Sequence, residues 1–204
     1  MKNPDLLLYV VHVLFWASFG VTRAFASRGS APEEPQAATT PPPPATANAQ
    51  TAPYSRSVLA FHMVGFGVLY FGIGNAVIPH RVPEWFAGQR IAGTLVIVIG
   101  AAVMSSALLF FRSWRFRAKL DAGHQLATGG PFRFVRHPIY AGLNLLALGS
   151  AIWAPTLIIW LGFALIAIGS DLRARSEEKL LERAFGDVYR AYRGRTKRFL
   201  PGVY

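Results

Sequence analysis

The sequence predicts an all-α integral membrane protein with about five transmembrane helices. Of its 204 residues, 52% are apolar and only 15% are charged, a balance typical of membrane proteins. Several uninterrupted apolar runs approach the roughly 20 residues that a helix needs to cross a bilayer. No cysteine is present, which excludes disulfide bonds, thiolate metal ligands and a cysteine nucleophile.

The first apolar run, Leu6 to Val21, predicts a retained transmembrane helix within residues 1–26. A cleaved signal peptide is the alternative, because Ala24-Phe25-Ala26 resembles a small-residue cleavage site. His12 and Trp16 interrupt the run, and removing it would leave an even number of crossings. We therefore favour a retained helix.

Residues 27–57 form a Pro/Ala-rich segment with four consecutive prolines, Pro41 to Pro44. Such a composition buries little apolar surface and blocks helix formation, so it predicts a disordered or polyproline linker. A simple spacer is the favoured interpretation, and a proline-binding partner is the alternative.

Two further spans are predicted within residues 58–111, from Val58 to Ile78 and from Ile91 to Phe111. Small residues in a membrane helix permit close helix packing. The second span carries four glycines: Gly65, Gly67, Gly72 and Gly74. Its His62 is interpreted as a packing or hydrogen-bonding group.

The next apolar stretch, 139–170, is broken only at Ala154-Pro155 and has 32 residues, where two full crossings need about 40. It therefore predicts a tight helical hairpin whose legs extend beyond the hydrocarbon at one membrane face. This geometry places His137 and Asp171 side by side at that face.

The segment from Asp171 to Arg193 predicts a cytoplasmic C-terminal amphipathic helix with helical periodicity. Glu177 is expected on the apolar stripe, one turn after Arg173, with Glu178 flanking the stripe. A carboxylate on a packed face is costly unless it is paired. Glu177 is therefore expected either to pair with Arg173 or to bind a ligand. The stripe itself consists of Leu181, Phe185, Val188 and Tyr192.

The net charge of +11 is unevenly distributed, with 15 of the 21 Lys and Arg residues from position 112 onward. This charge flanks apolar runs, so it indicates membrane topology and not nucleic-acid binding. It predicts a multi-pass protein (of the inner membrane in a bacterium) with 112–138 and 171–204 cytoplasmic and the N-terminus outside. The basic segment 112–119 either sets this topology or binds anionic lipid headgroups.

The polar loop 128–142 leads into the hairpin. Pro138 suits the first helical position, His137 falls at the cap, and Arg136 adds a fixed charge suited to carboxylate or phosphate. Gly142 would allow close approach of a ligand to the backbone. On these residues alone, an anion-anchoring loop and a membrane-entry turn remain equal alternatives.

The chain also resembles the superfamily of isoprenylcysteine carboxyl methyltransferases and phospholipid methyltransferases. One motif is His124-x-Leu126-x-Thr128-x-Gly130-Pro131-Phe132-x-x-Val135-Arg136-His137-Pro138-x-Tyr140-x-Gly142. The second consists of Arg173, Glu177-Glu178, Leu181, Phe185-Gly186, Tyr189, Tyr192, Arg198 and Pro201. Phe132 stands where a tyrosine is common. The resemblance covers about residues 120 to 201 and makes 112–204 the expected catalytic core.

The resemblance implies a methyltransferase that uses S-adenosylmethionine, without a metal, and releases S-adenosylhomocysteine. The expected catalytic residues are Arg136, Arg173 and Glu177. The expected cofactor-binding residues are His124, Gln125 and Leu126 on the adenosine side, Arg136, His137, Pro138, Tyr140 and Gly142 at the methionine end, and Glu177, Glu178 and Tyr189 on the C-terminal helix.

The chemistry of the residues agrees with that implication. Arg136 suits the methionine carboxylate, Glu177 suits the ammonium group or ribose hydroxyls, and Tyr140, Tyr189 and Tyr192 could stack adenine or face the sulfonium. The expected partners are the bilayer and a lipophilic or small acceptor, with the carboxylate of an isoprenylcysteine-like compound favoured over a thiol or an amine. The alternatives are a sterol-type NADPH reductase and a non-enzymatic membrane adaptor.

Overall fold

The computed structural model describes residues 5–28, 50–51, 55–79, 81–110, 119–120 and 126–204. Nearly all of this part of the chain is helical. The helices described are α1 (Leu6–Arg28), α2 (Ser55–Val77), α3 (Gln89–Phe110), α4 (Pro138–Trp153) and α5 (Leu157–Arg195), and a 3₁₀ turn lies at Gly130–Arg133. Two two-residue strands, β1 (Gln50–Thr51) and β2 (Lys119–Leu120), pair antiparallel.

The prediction of an all-α membrane protein is confirmed. Within the described residues, α1, α2, α3 and α5 are each long and apolar enough to cross a membrane, and α4 is a shorter apolar helix of 16 residues. Most of the linker 27–57 and the basic segment 112–119 lie outside the described residues.

Contacts between the helices show that they alternate in direction. Asp5 at the start of α1 pairs with Arg90 at the start of α3, at 2.8 Å. Gln89 of α3 donates to the carbonyl of Trp153 at the end of α4, at 3.2 Å. α1, α3 and α5 therefore run one way and α2 and α4 the other. The C-terminal ends of α1, α3 and α5 lie at the same end of the bundle as the N-terminal end of α4.

Glycines allow the backbones of α3 and α4 to touch. A Cβ atom on Gly142 would lie 2.7 Å from the carbonyl oxygen of Gly100, and one on Gly149 would lie 2.6 Å from that of Gly93. Between α2 and α5, Gly65 and Gly72 contact Ile166 and Ile159 in the same way. The prediction of close packing is confirmed for Gly65 and Gly72, whereas a Cβ on Gly67 would meet nothing within 4 Å and one on Gly74 only the Tyr9 hydroxyl, at 3.8 Å.

The predicted hairpin turn is confirmed at Ala154 to Thr156, where the Thr156 hydroxyl caps α5 by accepting from the backbone N–H of Ile159. The two legs pack less against each other than against other helices, since α4 lies mainly on α3 and α5 mainly on α2. At 1.5 Å per residue, α4 is about 24 Å long. It is thus shorter than the roughly 30 Å of a bilayer's hydrocarbon core.

The sequence predicted an amphipathic helix that begins at Asp171. In the structure this segment is part of α5, which runs from Leu157 to Arg195. The only break inside α5 is Gly186, whose φ of 51° and ψ of −123° are non-helical. This break rotates the following residues. Tyr189 is therefore buried in place of Val188, which is exposed, and the predicted stripe was wrong at that position.

Candidate functional site

Tyr140, on the first turn of α4, joins two charged side chains of α5. Its hydroxyl donates to Glu177 Oε1 and accepts from Arg173 Nε at 3.0 Å. The Arg173 guanidinium also lies 5.1 Å from the centre of the Tyr140 ring. Arg173 and Glu177, one turn apart on α5, are therefore held together through a hydroxyl from another helix.

Glu178 is the most heavily hydrogen-bonded carboxylate of the site. Its Oε1 accepts from Arg136 Nε at 3.0 Å and Arg198 Nε at 3.1 Å, and lies 3.3 Å from His137 Nε2; its Oε2 accepts from Arg198 Nη2 at 2.9 Å. A buried carboxylate is tolerated only with such partners. Glu178 therefore ties the start of α4 to α5 and to the segment that follows α5.

His137 lies between the two glutamates. Its Nδ1 is 3.6 Å from Glu177 Oε2, its Nε2 is 3.3 Å from Glu178 Oε1, and its ring stacks on that of Tyr140. Burial alone would lower the pKa of His137, but the hydrogen bonds and charges of the two carboxylates outweigh burial and raise it above the usual value. The pair of carboxylates thus favours a protonated His137.

The segment after α5 closes against the loop before α4. The N–H groups of Arg136 and His137 donate to the carbonyls of Lys197 and Arg198, at 2.8 and 3.1 Å. Arg136 Nη1 donates to the carbonyls of Arg193 and Thr196. Arg198 reaches back to Asp171 Oδ1 at 2.7 Å. Residues 135–137 and 196–198 are therefore joined by both backbone and side chains.

An aromatic group on α5 adjoins this charged cluster. Phe185, Tyr189 and Tyr192 are buried together, with Leu126 packed against them. The Tyr192 hydroxyl donates to the carbonyl of Phe132 at 2.6 Å. The Tyr189 hydroxyl is buried and has no hydrogen-bond partner in the part of the chain that the structure describes. An apolar aromatic surface with one free hydroxyl therefore lies next to a strongly polar one.

The structure brings most of the predicted site residues together. Those in the polar cluster are Arg136, His137, Tyr140, Arg173, Glu177 and Glu178. Pro138 is the first residue of α4, as predicted, and His137 is its cap position without a side-chain capping bond. Leu126 and Tyr189 lie in the aromatic group. His124 and Gln125 lie outside the described residues.

Three expectations about geometry need correction. Gly142 lies against Gly100 of α3, so its missing side chain serves helix packing, while its expected place in the cofactor site stays a prediction. Glu178, expected at the edge of the stripe, is the more buried glutamate, with 7% of its side chain exposed against 22% for Glu177. Glu177 and Arg173 meet through Tyr140, which the spacing along one helix could not indicate.

Sequence reasoning left Arg198 and Asp171 out of the site. The signal for Arg198 was available, because a glutamate pair on a packed face needs cations and Arg198 belongs to the second motif. Nothing in the spacing of the sequence indicates that Asp171 joins Arg198, since this contact depends on how the last segment folds back.

Taken together, the fold and site define a multi-pass α-helical membrane protein whose polar site lies at one end of the bundle. A family model described as phospholipid methyltransferase matches residues 89–188. These matches support the resemblance of this region to the superfamily of isoprenylcysteine carboxyl methyltransferases and phospholipid methyltransferases. The matched segment contains α3, α4 and most of α5, and hence nearly all residues of the polar cluster.

Curated relatives carry related names. The chain is 33% identical over 85 residues to the protein-S-isoprenylcysteine O-methyltransferase of Schizosaccharomyces pombe, which covers 41% of this chain and 36% of that protein. It is 27% identical over 136 residues to a probable protein-S-isoprenylcysteine O-methyltransferase of Oryza sativa subsp. indica, covering 61% of this chain and 66% of that protein. The chain therefore matches about a third of the yeast protein and just under two thirds of the rice protein.

Proposed function

We propose that this protein is an integral-membrane methyltransferase that moves a methyl group from S-adenosylmethionine to a lipophilic acceptor. S-adenosylmethionine has a charged amino-acid end and an adenosine end joined by a sulfonium. A site for it needs a polar region and an aromatic region side by side.

The polar cluster suits the amino-acid end. Glu177 is the glutamate that keeps an accessible fraction, and its negative charge suits an ammonium group or ribose hydroxyls. Arg136 and Arg173 supply positive charge for a carboxylate. Because Glu178 is already held by Arg136, His137 and Arg198, its proposed part is to position these groups. Tyr140 then fixes the orientation of Glu177 relative to Arg173.

The aromatic group suits the adenosine end. Phe185, Tyr189 and Tyr192 offer ring surfaces beside Leu126, and His124 and Gln125 are proposed to complete that side. The buried Tyr189 hydroxyl is well placed to hydrogen-bond a base or ribose, because buried polar groups without a partner are uncommon. The donor, when bound, supplies an electrophilic methyl group. The chain's own residues orient it and exclude water.

The acceptor is proposed to enter from the bilayer. The first candidate class is the carboxyl group of an isoprenylcysteine-like compound, which the relatives' names suggest, and a thiol or an amine is the alternative. We propose further that the site and the segment 171–204 lie on the cytoplasmic side, with the N-terminus outside, because most Lys and Arg residues lie from position 112 onward.

The observation that carries the proposal is that Arg173 and Glu177 of the Tyr140–Arg173–Glu177 cluster lie on the same helix, α5, as the buried Tyr189, whose hydroxyl has no partner within the described residues. Binding of S-adenosylhomocysteine to the detergent-purified protein, measured by calorimetry, tests it. We expect saturable binding that weakens in Tyr189→Leu, with Tyr9→Leu as the control outside the site. Binding of NADPH in place of S-adenosylhomocysteine would indicate a reductase, and binding of neither would favour an adaptor; both results contradict the proposal.

A further inference from the structure

His62 of α2 borders the polar cluster from the membrane interior. It is fully buried, lies outside the segment matched by the family model and packs against Gly169 of α5. Its ring meets the edge of the Tyr140 ring, with the centres 6.3 Å apart. A polar side chain at this depth is expensive, and in membrane proteins it usually has a function.

The hydrogen bonds of His62 determine which ring nitrogen carries the proton. Ser170 Oγ donates its single proton to Asn144 Oδ1 at 2.8 Å. Ser170 can therefore only accept from His62 Nε2, which lies 3.4 Å away. The proton of a neutral His62 is then on Nε2, and Nδ1 presents a lone pair. Within the described residues, Nδ1 is buried and has no hydrogen-bond partner.

A second buried histidine shows what a structural role looks like in the same bundle. His12 of α1 uses both ring nitrogens, with Nδ1 3.0 Å from the Tyr70 hydroxyl and Nε2 2.9 Å from Ser150 Oγ. His62 differs from it in one respect, the bare acceptor at Nδ1. Such an acceptor calls for a hydrogen-bond donor that the described chain does not supply.

We propose that His62 Nδ1 is the base that accepts the proton of the methyl acceptor, a lipophilic carboxylic acid or thiol that enters from the bilayer in its neutral form. This inference rests on the proposed methyltransferase function. Charged groups partition poorly into hydrocarbon, so an acid travels through the bilayer protonated and has to lose that proton before it attacks.

The step balances with the groups at hand. The proton of the acceptor's X–H bond moves to His62 Nδ1, and the electron pair left on X forms the bond to the methyl carbon. The electron pair of the breaking carbon–sulfur bond stays on sulfur, which becomes a neutral sulfide. His62 leaves the step as an imidazolium and returns its proton to water.

The neighbours of His62 in the polar cluster are Tyr140 and, behind it, Arg173. Arg173 of α5 lies against the Tyr140 ring that His62 contacts, and its positive charge would stabilise the anion formed when the acceptor loses its proton. Tyr140 of α4 lies between His62 and Glu177.

The first test reads the tautomer without any turnover. The chain has five histidines, so ¹⁵N-histidine labelling in detergent gives a tractable NMR spectrum, and the His62→Gln spectrum assigns the His62 signals. We expect the Nε2-protonated form with an unprotonated Nδ1, and addition of dodecanoic acid should move the Nδ1 signal toward the protonated position. A proton on Nδ1 in the resting protein would overturn the proposal.

The second test compares acceptors of different acidity: N-acetyl-S-farnesylcysteine, dodecanoic acid and dodecanethiol. A general base typically raises the reaction rate 10²–10⁴-fold. His62→Gln should therefore lower kcat at least about 100-fold for the thiol, and far less for the two stronger acids. Ser170→Ala removes the acceptor that fixes the His62 tautomer. It should lower kcat less than His62→Gln does, with the same order among the three acceptors. His12→Gln should lower thermal stability without changing that ranking.

An equal loss for all three acceptors in His62→Gln would make His62 a packing residue and overturn the proposal. Wild-type protein that binds S-adenosylhomocysteine but methylates none of the three probes would also overturn it. Failure to bind S-adenosylhomocysteine would instead refute the proposed function, so the two failures are distinguishable. Retained binding of S-adenosylhomocysteine by His62→Gln shows that this variant is folded.

Discussion

The two ends of the helix bundle both bury polar groups, but they use them differently. Where α1 and α3 begin, Asp5 pairs with Arg90, and Gln89 donates to the carbonyls of Pro83 and Trp153. These contacts connect helix ends to one another. Where α4 begins, three donor residues from two segments converge on Glu178, while 22% of the side chain of Glu177 beside it stays exposed.

The difference indicates where chemistry is expected. At the first end, polar groups are used to close the ends of helices. At the second end, Glu178 takes up the donors of Arg136, His137 and Arg198, while Glu177 accepts from Tyr140 and lies 3.6 Å from His137 Nδ1. A carboxylate that is oriented but still accessible is suited to hold a ligand. Substitutions at this end should therefore lower activity, and substitutions at the first end should lower stability.

The largest effect is expected for Glu177→Gln. The amide keeps the shape of the side chain but removes the negative charge, so methyl transfer in membranes with labelled S-adenosylmethionine should fall at least about 100-fold. The matched change at the other end, Arg90→Gln, should lower the thermal stability and leave turnover near the wild-type value. Near-normal turnover in Glu177→Gln would remove Glu177 from the site.

Arg136→Ala should raise the Kd of S-adenosylhomocysteine about tenfold or more, the scale of one lost charge-assisted hydrogen bond. The change also leaves the carbonyls of Arg193 and Thr196 without their guanidinium donor. Calorimetry measures the Kd. Arg190→Ala is the control, because Arg190 is exposed and pairs with Asp187 and Glu182. A similar increase in the control would mean that only the overall charge matters.

Gly142→Ala tests the packing interpretation. Its Cβ would lie 2.7 Å from the Gly100 carbonyl oxygen, so the helices must separate, at a cost of roughly 1–3 kcal/mol in the free energy of unfolding. Gly67→Ala meets nothing within 4 Å and should be neutral or slightly stabilising. Thermal unfolding in detergent compares the two. Unchanged stability in Gly142→Ala would indicate that α3 and α4 do not touch there.

The smallest effect is a pH dependence of stability from His137. Its pKa is raised in the folded protein, so the protonated ring contributes stability that is fully present below about pH 6.5 and is lost as the pH rises through the raised pKa. The unfolding temperature should fall over this range, and His137→Gln should flatten the slope. An equally steep slope in His137→Gln would assign it to another group.

Much of this architecture could be predicted from the sequence because it depends on local composition. Apolar runs gave the spans, and Ala154-Pro155 gave the turn between α4 and α5. The length of 139–170 indicated a tight hairpin that returns to the membrane face where it starts, which brings the loop at 136–140 close to 177–178. The order of the two motifs indicated the same pair of regions.

The parts that failed depend on single backbone angles or on contacts far apart in the chain. The φ of Gly186 moved Tyr189 into the aromatic group and Val188 out of it, and periodicity cannot detect such a break. The choice between Glu177 and Glu178 depends on where Arg198 folds back. The packing role of Gly142 depends on the position of Gly100 on another helix, which the sequence does not show.

The 16 residues of α4 make membrane thickness a variable of the proposed reaction. A helix of about 24 Å in a hydrocarbon layer of about 30 Å is a case of hydrophobic mismatch, and the bilayer adapts by thinning locally. Thinning around α4 would bring lipid headgroups down to the level of Tyr140. We therefore expect turnover in reconstituted vesicles to fall as the acyl chains of the host lipid are lengthened at constant fluidity.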